Sequence, residues 1–171
     1  MIQIYTGNGK GKTTAAIGQG IRAAGNGFKV IMVQFLKSGE TGELNIIRNI
    51  DNFEIKRFER EKGFTCELNE EELDELRGEI KTAYNYIKKV IKNNECNMLI
   101  IDEIMAVLKN KFLSEEEVLE LLNMSNEEME IVLTGRDVPQ VLVERADLVT
   151  EMKLIKHYYN KGIPARKGIE F

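Results

Sequence analysis

The sequence predicts an α/β fold: a mostly parallel sheet with helices on both faces. Three observations carry this. Short runs rich in Ile and Val alternate with helical patterns along the 171 residues. Three of those runs, Lys29–Phe35, Asn97–Asp102 and Met129–Thr134, are almost continuously apolar, as strands are when both faces of a parallel sheet are covered. A glycine-rich turn also joins the first strand directly to the first helix. Strands alternating with helices imply right-handed crossovers.

The elements follow in order. Ile2–Thr6 reads as strand one. Thr13–Ala24 is small and apolar, which suits a helix packed closely on a sheet. Lys29–Phe35 and Phe53–Phe58 read as strands two and three. From Glu70 to Lys92, apolar residues at 73, 76, 80, 83, 87 and 90 recur in steps of three and four and trace one helical face. Asn69 with Glu72 reads as the capping box of that helix. Asn97–Asp102 is strand four. Ser114 with Glu117 reads as a second capping box, opening a helix through Leu122. Met129–Thr134 is strand five. Asp137-Val138-Pro139 suits a helix start, because proline is tolerated in the first turn. Leu148–Ile155 is strand six. Asn160–Phe171, with Gly162, Pro164 and Gly168, reads as an irregular tail.

Composition narrows the function classes. The length fits one domain, 1–171, and a chain of this size buries roughly 70% of its unfolded surface without disulfide or metal staples. Apolar residues are 43% and charged residues 30%, with a net charge of −4. A mildly acidic chain is a poor nucleic-acid binder, which needs a basic face. The two cysteines, Cys66 and Cys96, read as free thiols of a reducing compartment. Met1–Tyr5 carries no signal-peptide pattern, and the apolar runs are far shorter than the ~20 residues of a membrane span. A cytoplasmic protein with no membrane or nucleic-acid partner is expected.

The segment Thr6-Gly7-Asn8-Gly9-Lys10-Gly11-Lys12-Thr13-Thr14 carries the chemistry. Set between strand and helix, it has the context of a phosphate loop. Its glycines let backbone N–H groups face phosphate oxygens, and the helix N-terminus adds its positive dipole end. Lys12 would put an ammonium on the phosphates, and the Thr13 hydroxyl could ligate Mg²⁺ or Mn²⁺. The standard spacing sets four residues between the first glycine and Gly-Lys-Ser/Thr. Here position 6 is Thr, so the loop is one residue short. The fold expected is therefore P-loop NTPase-like, of the RecA kind.

Asn97–Ile101 followed by Asp102-Glu103 reads as the second half of such a site. A strand ending in an acid sets a carboxylate beside the metal. Glu103 is open to two roles, activating a water or contacting metal or nucleotide. Arg136, after Thr134-Gly135 at the carboxyl end of strand five, is expected to contact phosphate or a second substrate. His157 lies in a tail with Lys153, Lys156, Lys161, Arg166 and Lys167, read either as a positive lining near polyphosphate or as solvated surface. The acidic stretch Glu70–Glu79 reads as solvated surface.

Together these residues resemble the ATP:corrinoid adenosyltransferases of the cobA/BtuR type. The match runs through Tyr5–Ala16, Arg22-Ala23, Val33–Lys37, Gly63-Phe64-Thr65, Ile101-Asp102-Glu103, Thr134-Gly135-Arg136, Ala146–Met152, Lys156-His157, Gly162 and Gly168–Phe171. The shortened loop belongs to the resemblance. It implies transfer of the 5′-deoxyadenosyl group of ATP to the cobalt of a reduced corrinoid, with release of triphosphate. It also implies ATP lying in the opposite direction to ordinary P-loop enzymes. Nucleotide or corrinoid contacts fall on Gly7, Asn8, Gly9, Lys10, Gly11, Lys12, Thr13, Thr14, Arg22 and Phe64, with catalytic roles for Lys12, Glu103 and Arg136. Metal contacts fall on Thr13, Asp102 and Glu103.

Phe64 would pack against the lower face of the corrin and ease reduction of Co(II). Better-known members carry tryptophan where this chain has Cys66. Many also carry residues ahead of the first strand that cover a site, whereas Met1 here leads straight into strand one. A flavoprotein reductant and a homodimer are further implications. Outside the family, a P-loop nucleoside kinase or ATPase would leave ADP, and a non-catalytic nucleotide-binding regulatory module would leave ATP unchanged.

Overall fold

The computed structural model describes residues 1–37, 39–60 and 67–170. Six strands form one sheet: β1 Ile2–Thr6, β2 Val30–Gln34, β3 Phe53–Lys56, β4 Met98–Asp102, β5 Glu130–Thr134 and β6 Leu148–Glu151. Their spatial order is β3-β2-β4-β5-β1-β6, and every pairing is parallel. The helices are α1 Lys12–Gly25, α2 Gly42–Ile47, α3 Glu70–Lys92, α4 Ile104–Lys109, α5 Glu115–Met124 and α6 Gln140–Arg145. A parallel sheet requires such crossovers, and they cover both its faces.

Period-two alternation sorts the strand residues between two cores. Ile31 and Val33 of β2, with Leu99, Ile101, Ile131 and Leu133, pack under α3, α4, α5 and α6. Val30 and Met32, with Met98, Ile100 and Val132, pack under Ala16, Ala23 and Ala24 of α1. The small α1 side chains let that helix approach closely. Each fully buried aliphatic side chain contributes roughly 1.5–3 kcal/mol. Both expected capping boxes form, Asn69 with Glu72 and Ser114 with Glu117.

The structure departs from the sequence reading in three places. Two helices, α2 and α4, were not expected, since six residues are too few to display a 3.6-residue period. Strand six ends at Glu151 rather than Ile155, because the chain leaves the sheet edge there and crosses over the turn after β1. Pro139 caps α6 instead of opening its first turn. Among the described residues no helix is long and apolar enough to cross a membrane.

Parallel strands put all their carboxyl ends at one edge. The buried polar side chains among the described residues are Thr6, Lys12, Gln34, Asp102 and Thr134, and all five lie at that edge. Burying polar groups costs free energy unless they are paired, so their concentration in one place marks a site.

Candidate functional site

The turn after β1 is shaped by two glycines and by the strand that crosses it. Gly7 (φ 101°) and Gly11 (φ 117°) adopt left-handed backbone that non-glycine residues rarely adopt. A Cβ at Gly7 would lie 2.5 Å from the Met152 carbonyl oxygen, too close for any side chain. Met152 N–H donates to Thr6 O at 2.8 Å, and Gly9 N–H donates to Met152 O at 2.7 Å. Gly11 caps α1, and Lys12, its first residue, is buried. The Lys12 ammonium curls back over the turn and donates to Gly7 O (2.7 Å) and Gly9 O (2.8 Å). Burial, reinforced by the nearby Arg136 charge, lowers its pKa.

Beside it, Asp102 is fully buried and accepts four hydrogen bonds. Its Oδ1 accepts from Thr13 Oγ1 (2.9 Å) and Thr134 Oγ1 (2.6 Å). Its Oδ2 accepts from Gln34 Nε2 (3.1 Å) and from Lys37 Nζ (2.7 Å). Strand order explains the arrangement. Gln34 is the register partner of Asp102 on the neighbouring β2. Thr134 ends β5, which separates β1 from β4. Gln34 is itself oriented by Arg57, whose guanidinium donates twice to Gln34 Oε1, at 2.9 and 2.7 Å.

Glu103 follows at φ 61°, a left-handed conformation uncommon outside glycine. The sharp turn ends β4 and starts α4 at once, and Thr134 Oγ1 accepts the Glu103 N–H at 2.9 Å.

These groups line a cleft of about 1290 Å³, bounded by Asn8–Thr14, Lys37, Thr41–Glu43, Glu103, Arg136 and the chain after β6. Of the residues expected from sequence, Asn8, Gly9, Lys10, Gly11, Lys12, Thr13, Thr14, Glu103 and Arg136 border it, while Gly7 and Asp102 do not, Asp102 being bonded to Thr13 and Lys37 of the lining. Arg136 is exposed on the rim. Lys10 is tied to the tail, donating to Ile169 O (2.6 Å) and Glu170 Oε1 (2.7 Å). Arg166 and Lys10 hold the Glu170 carboxyl well below the usual carboxylate range. The tail thus folds over the turn, and His157 borders the cleft, its Nδ1 accepting the Tyr159 N–H.

Arg22 is not brought to the cleft. It sits exposed in the last turn of α1, bonded to Gln19, about 15 Å along the helix axis from Lys12. Phe64 and Cys66 lie outside the described residues. The sequence reading assigned no site role to Gln34, Lys37, Arg57 or Thr134. The signal was there in part: Gln34 and Thr134 are single polar residues ending apolar strands at the edge where ligands bind.

A glycine turn from strand to helix, a buried lysine at the helix mouth and an acid two strands away define a P-loop nucleotide-binding α/β protein. The solved structure of the flagellar accessory protein FlaH from Methanocaldococcus jannaschii shares the fold, with a TM-score of 0.53, 14% identity, and 88% of this chain and 69% of that one covered. The chain belongs to the ATP:corrinoid adenosyltransferase BtuR/CobO/CobP family, whose model matches residues 1–171. It is 34% identical over 172 residues to the corrinoid adenosyltransferase of Pseudomonas aeruginosa, covering 100% of this chain and 83% of the relative. It is 32% identical over 173 residues to that of Escherichia coli K12, covering 100% and 85%.

Proposed function

We propose that the chain, as a single domain over residues 1–171, transfers the 5′-deoxyadenosyl group of ATP to the cobalt of a reduced corrinoid. The electron pair of Co(I) forms the Co–C5′ bond. The C5′–O bond breaks, and its electrons leave with inorganic triphosphate. Co(I) is already a strong nucleophile, so no general base is required. The protein's work is to align C5′ with cobalt and to stabilise the departing charge. The observation that carries this reading is the short turn Thr6–Thr14, with Lys12 at the helix mouth, bordering the cleft beside Asp102 and Thr13.

The N–H groups of residues 8–14 and the Lys12 ammonium would bind the triphosphate. Arg136, close enough for its charge to lower the Lys12 pKa, would contact phosphate or a corrin carboxamide. The hard oxygens of Thr13 and Asp102, drawn together around the Lys37 ammonium, suit Mg²⁺ or Mn²⁺. Thr13 would hold that cation directly and Asp102 through water, with Glu103 as a further contact, and it would supply positive charge against the leaving triphosphate. Such cations keep several waters and phosphate ligands, so a protein-only cage of carboxylates is not required. Phe64 is proposed to cover the lower corrin face. A homodimer, a flavoprotein electron donor and a cytoplasmic location complete the proposal.

The test is to mix the protein with ATP, Mg²⁺ and chemically reduced cobalamin and to follow the corrinoid spectrum. Conversion to the alkyl form supports the reading, and an unchanged spectrum with ATP consumed favours a kinase or ATPase.

A further inference from the structure

The Lys37 ammonium lies 2.7 Å from Asp102 Oδ2 and 3.1 Å from Thr13 Oγ1. Thr13 Oγ1 is in turn 2.9 Å from Asp102 Oδ1. One monovalent cation therefore bridges the same two side chains that the proposed function gives to a divalent cation. Asp102 has no exposed surface, whereas the Lys37 side chain is 25% exposed. A buried carboxylate with no counter-charge is strongly destabilising, and among the described residues Lys37 is the cation bonded to this one. Gln34 and Thr134 contribute only neutral donors.

The two partners differ in how they are held. Asp102 ends a central strand and is fixed by Gln34 and Thr134. Lys37 lies past the end of β2 on a four-carbon stem, in a segment with no regular structure, and its N–H is fastened to Glu59 Oε2 at 3.3 Å. Its ammonium can leave Asp102 while its backbone stays, and it already borders the cleft.

We propose that Lys37 is an exchangeable counter-ion. Its ammonium and a divalent cation compete for the Thr13 and Asp102 oxygens, and the ammonium gives those oxygens up when the divalent cation binds. This rests on the reading that Thr13 and Asp102 serve a divalent cation. Lys37 then makes nucleotide binding less dependent on the metal, because without the metal it keeps the Asp102 charge from repelling the phosphates.

The test is equilibrium binding of ATP by calorimetry, without corrinoid, in Mg²⁺ and in EDTA. The quantity read is the ratio of the two affinities, Mg²⁺ over EDTA. In EDTA Lys37→Met leaves the Asp102 charge unscreened against the phosphates, whereas in Mg²⁺ the divalent cation screens it, so the ratio should rise about tenfold or more. Lys37→Arg, which keeps the charge, should restore most of the wild-type value. Asp102→Asn should lower the ratio. If Lys37→Met weakens ATP equally in both solutions while Asp102→Asn lowers the ratio, Lys37 is a plain phosphate contact and the counter-ion proposal is overturned with the metal reading intact. If Asp102→Asn leaves the ratio unchanged, the metal reading fails and this proposal falls with it.

Discussion

Thr134 Oγ1 donates to Asp102 Oδ1 at 2.6 Å and accepts the backbone N–H of Glu103 at 2.9 Å. A single hydroxyl on β5 thus fixes the carboxylate that ends β4 and the left-handed residue that follows it. Neither Thr134 nor Asp102 has exposed surface, so their hydroxyl–carboxylate bond is closed to water.

Thr134→Val keeps the shape and removes both bonds. We expect a loss of about 1–3 kcal/mol in urea unfolding, since the buried Asp102 carboxylate loses a donor and the Glu103 N–H loses its partner. Lys37→Met should cost more, about 3–5 kcal/mol, because it leaves the buried Asp102 carboxylate without its counter-charge. Comparable losses in the two variants would contradict the charge pairing of Lys37 with Asp102.

Lys12→Ala should remove turnover while sparing the fold. Among the described residues the ammonium bonds carbonyls of its own turn alone, so stability changes little, but the departing triphosphate loses a charged contact. A charged hydrogen bond contributes roughly 1.5–3 kcal/mol, or about 10–150-fold in rate. Steady-state rates at saturating ATP, with a melting curve on the same sample, measure both. Near-native turnover would remove Lys12 from the catalytic assignment.

Glu59 predicts a pH dependence of stability. Burial pushes its carboxyl up from 4.5 to about 7. A raised folded-state pKa favours the protonated form, so the contribution is fully present below pH ~4.5 and is lost as pH rises through ~7. Wild-type protein should lose on the order of 1–3 kcal/mol from this group between pH 5 and 8. Glu59→Gln, which cannot ionise, should flatten that slope and be the more stable protein at pH 8. Parallel urea midpoints at the two pH values would show whether the slope belongs to Glu59.

Phe64, outside the described residues, was assigned from resemblance. Phe64→Ala should leave activity from pre-reduced Co(I) largely intact and depress activity that starts from Co(II) with a protein reductant. Equal losses from both starting states would withdraw the assignment.

The architecture was legible in the sequence because strand and helix periods are local. Val30–Gln34, Met98–Asp102 and Glu130–Thr134 show themselves as continuous apolar runs, and Thr6–Thr14 as a turn with a chemical purpose. What could not be read is what depends on strand order. That β5 lies between β1 and β4, and β2 on the other side of β4, is not written in any short segment. Yet this order is what brings Thr134, Gln34 and Lys37 to Asp102. Arg22 failed for the opposite reason: its neighbourhood matched the family, but the rise of α1 carries it away from the cleft. The tail is irregular, as read from its glycines and proline, but its fastening to the turn was not legible, because its partner, Lys10, lies 160 positions earlier.

The most direct test of the central claim is the fate of ATP, followed by ³¹P NMR in the presence and absence of chemically reduced corrinoid. Adenosyl transfer predicts one inorganic triphosphate per alkylated corrinoid, with no ADP, and intact ATP when corrinoid is left out. ADP and phosphate formed without corrinoid would make Glu103 a water-activating base and the protein a P-loop ATPase, contradicting the account.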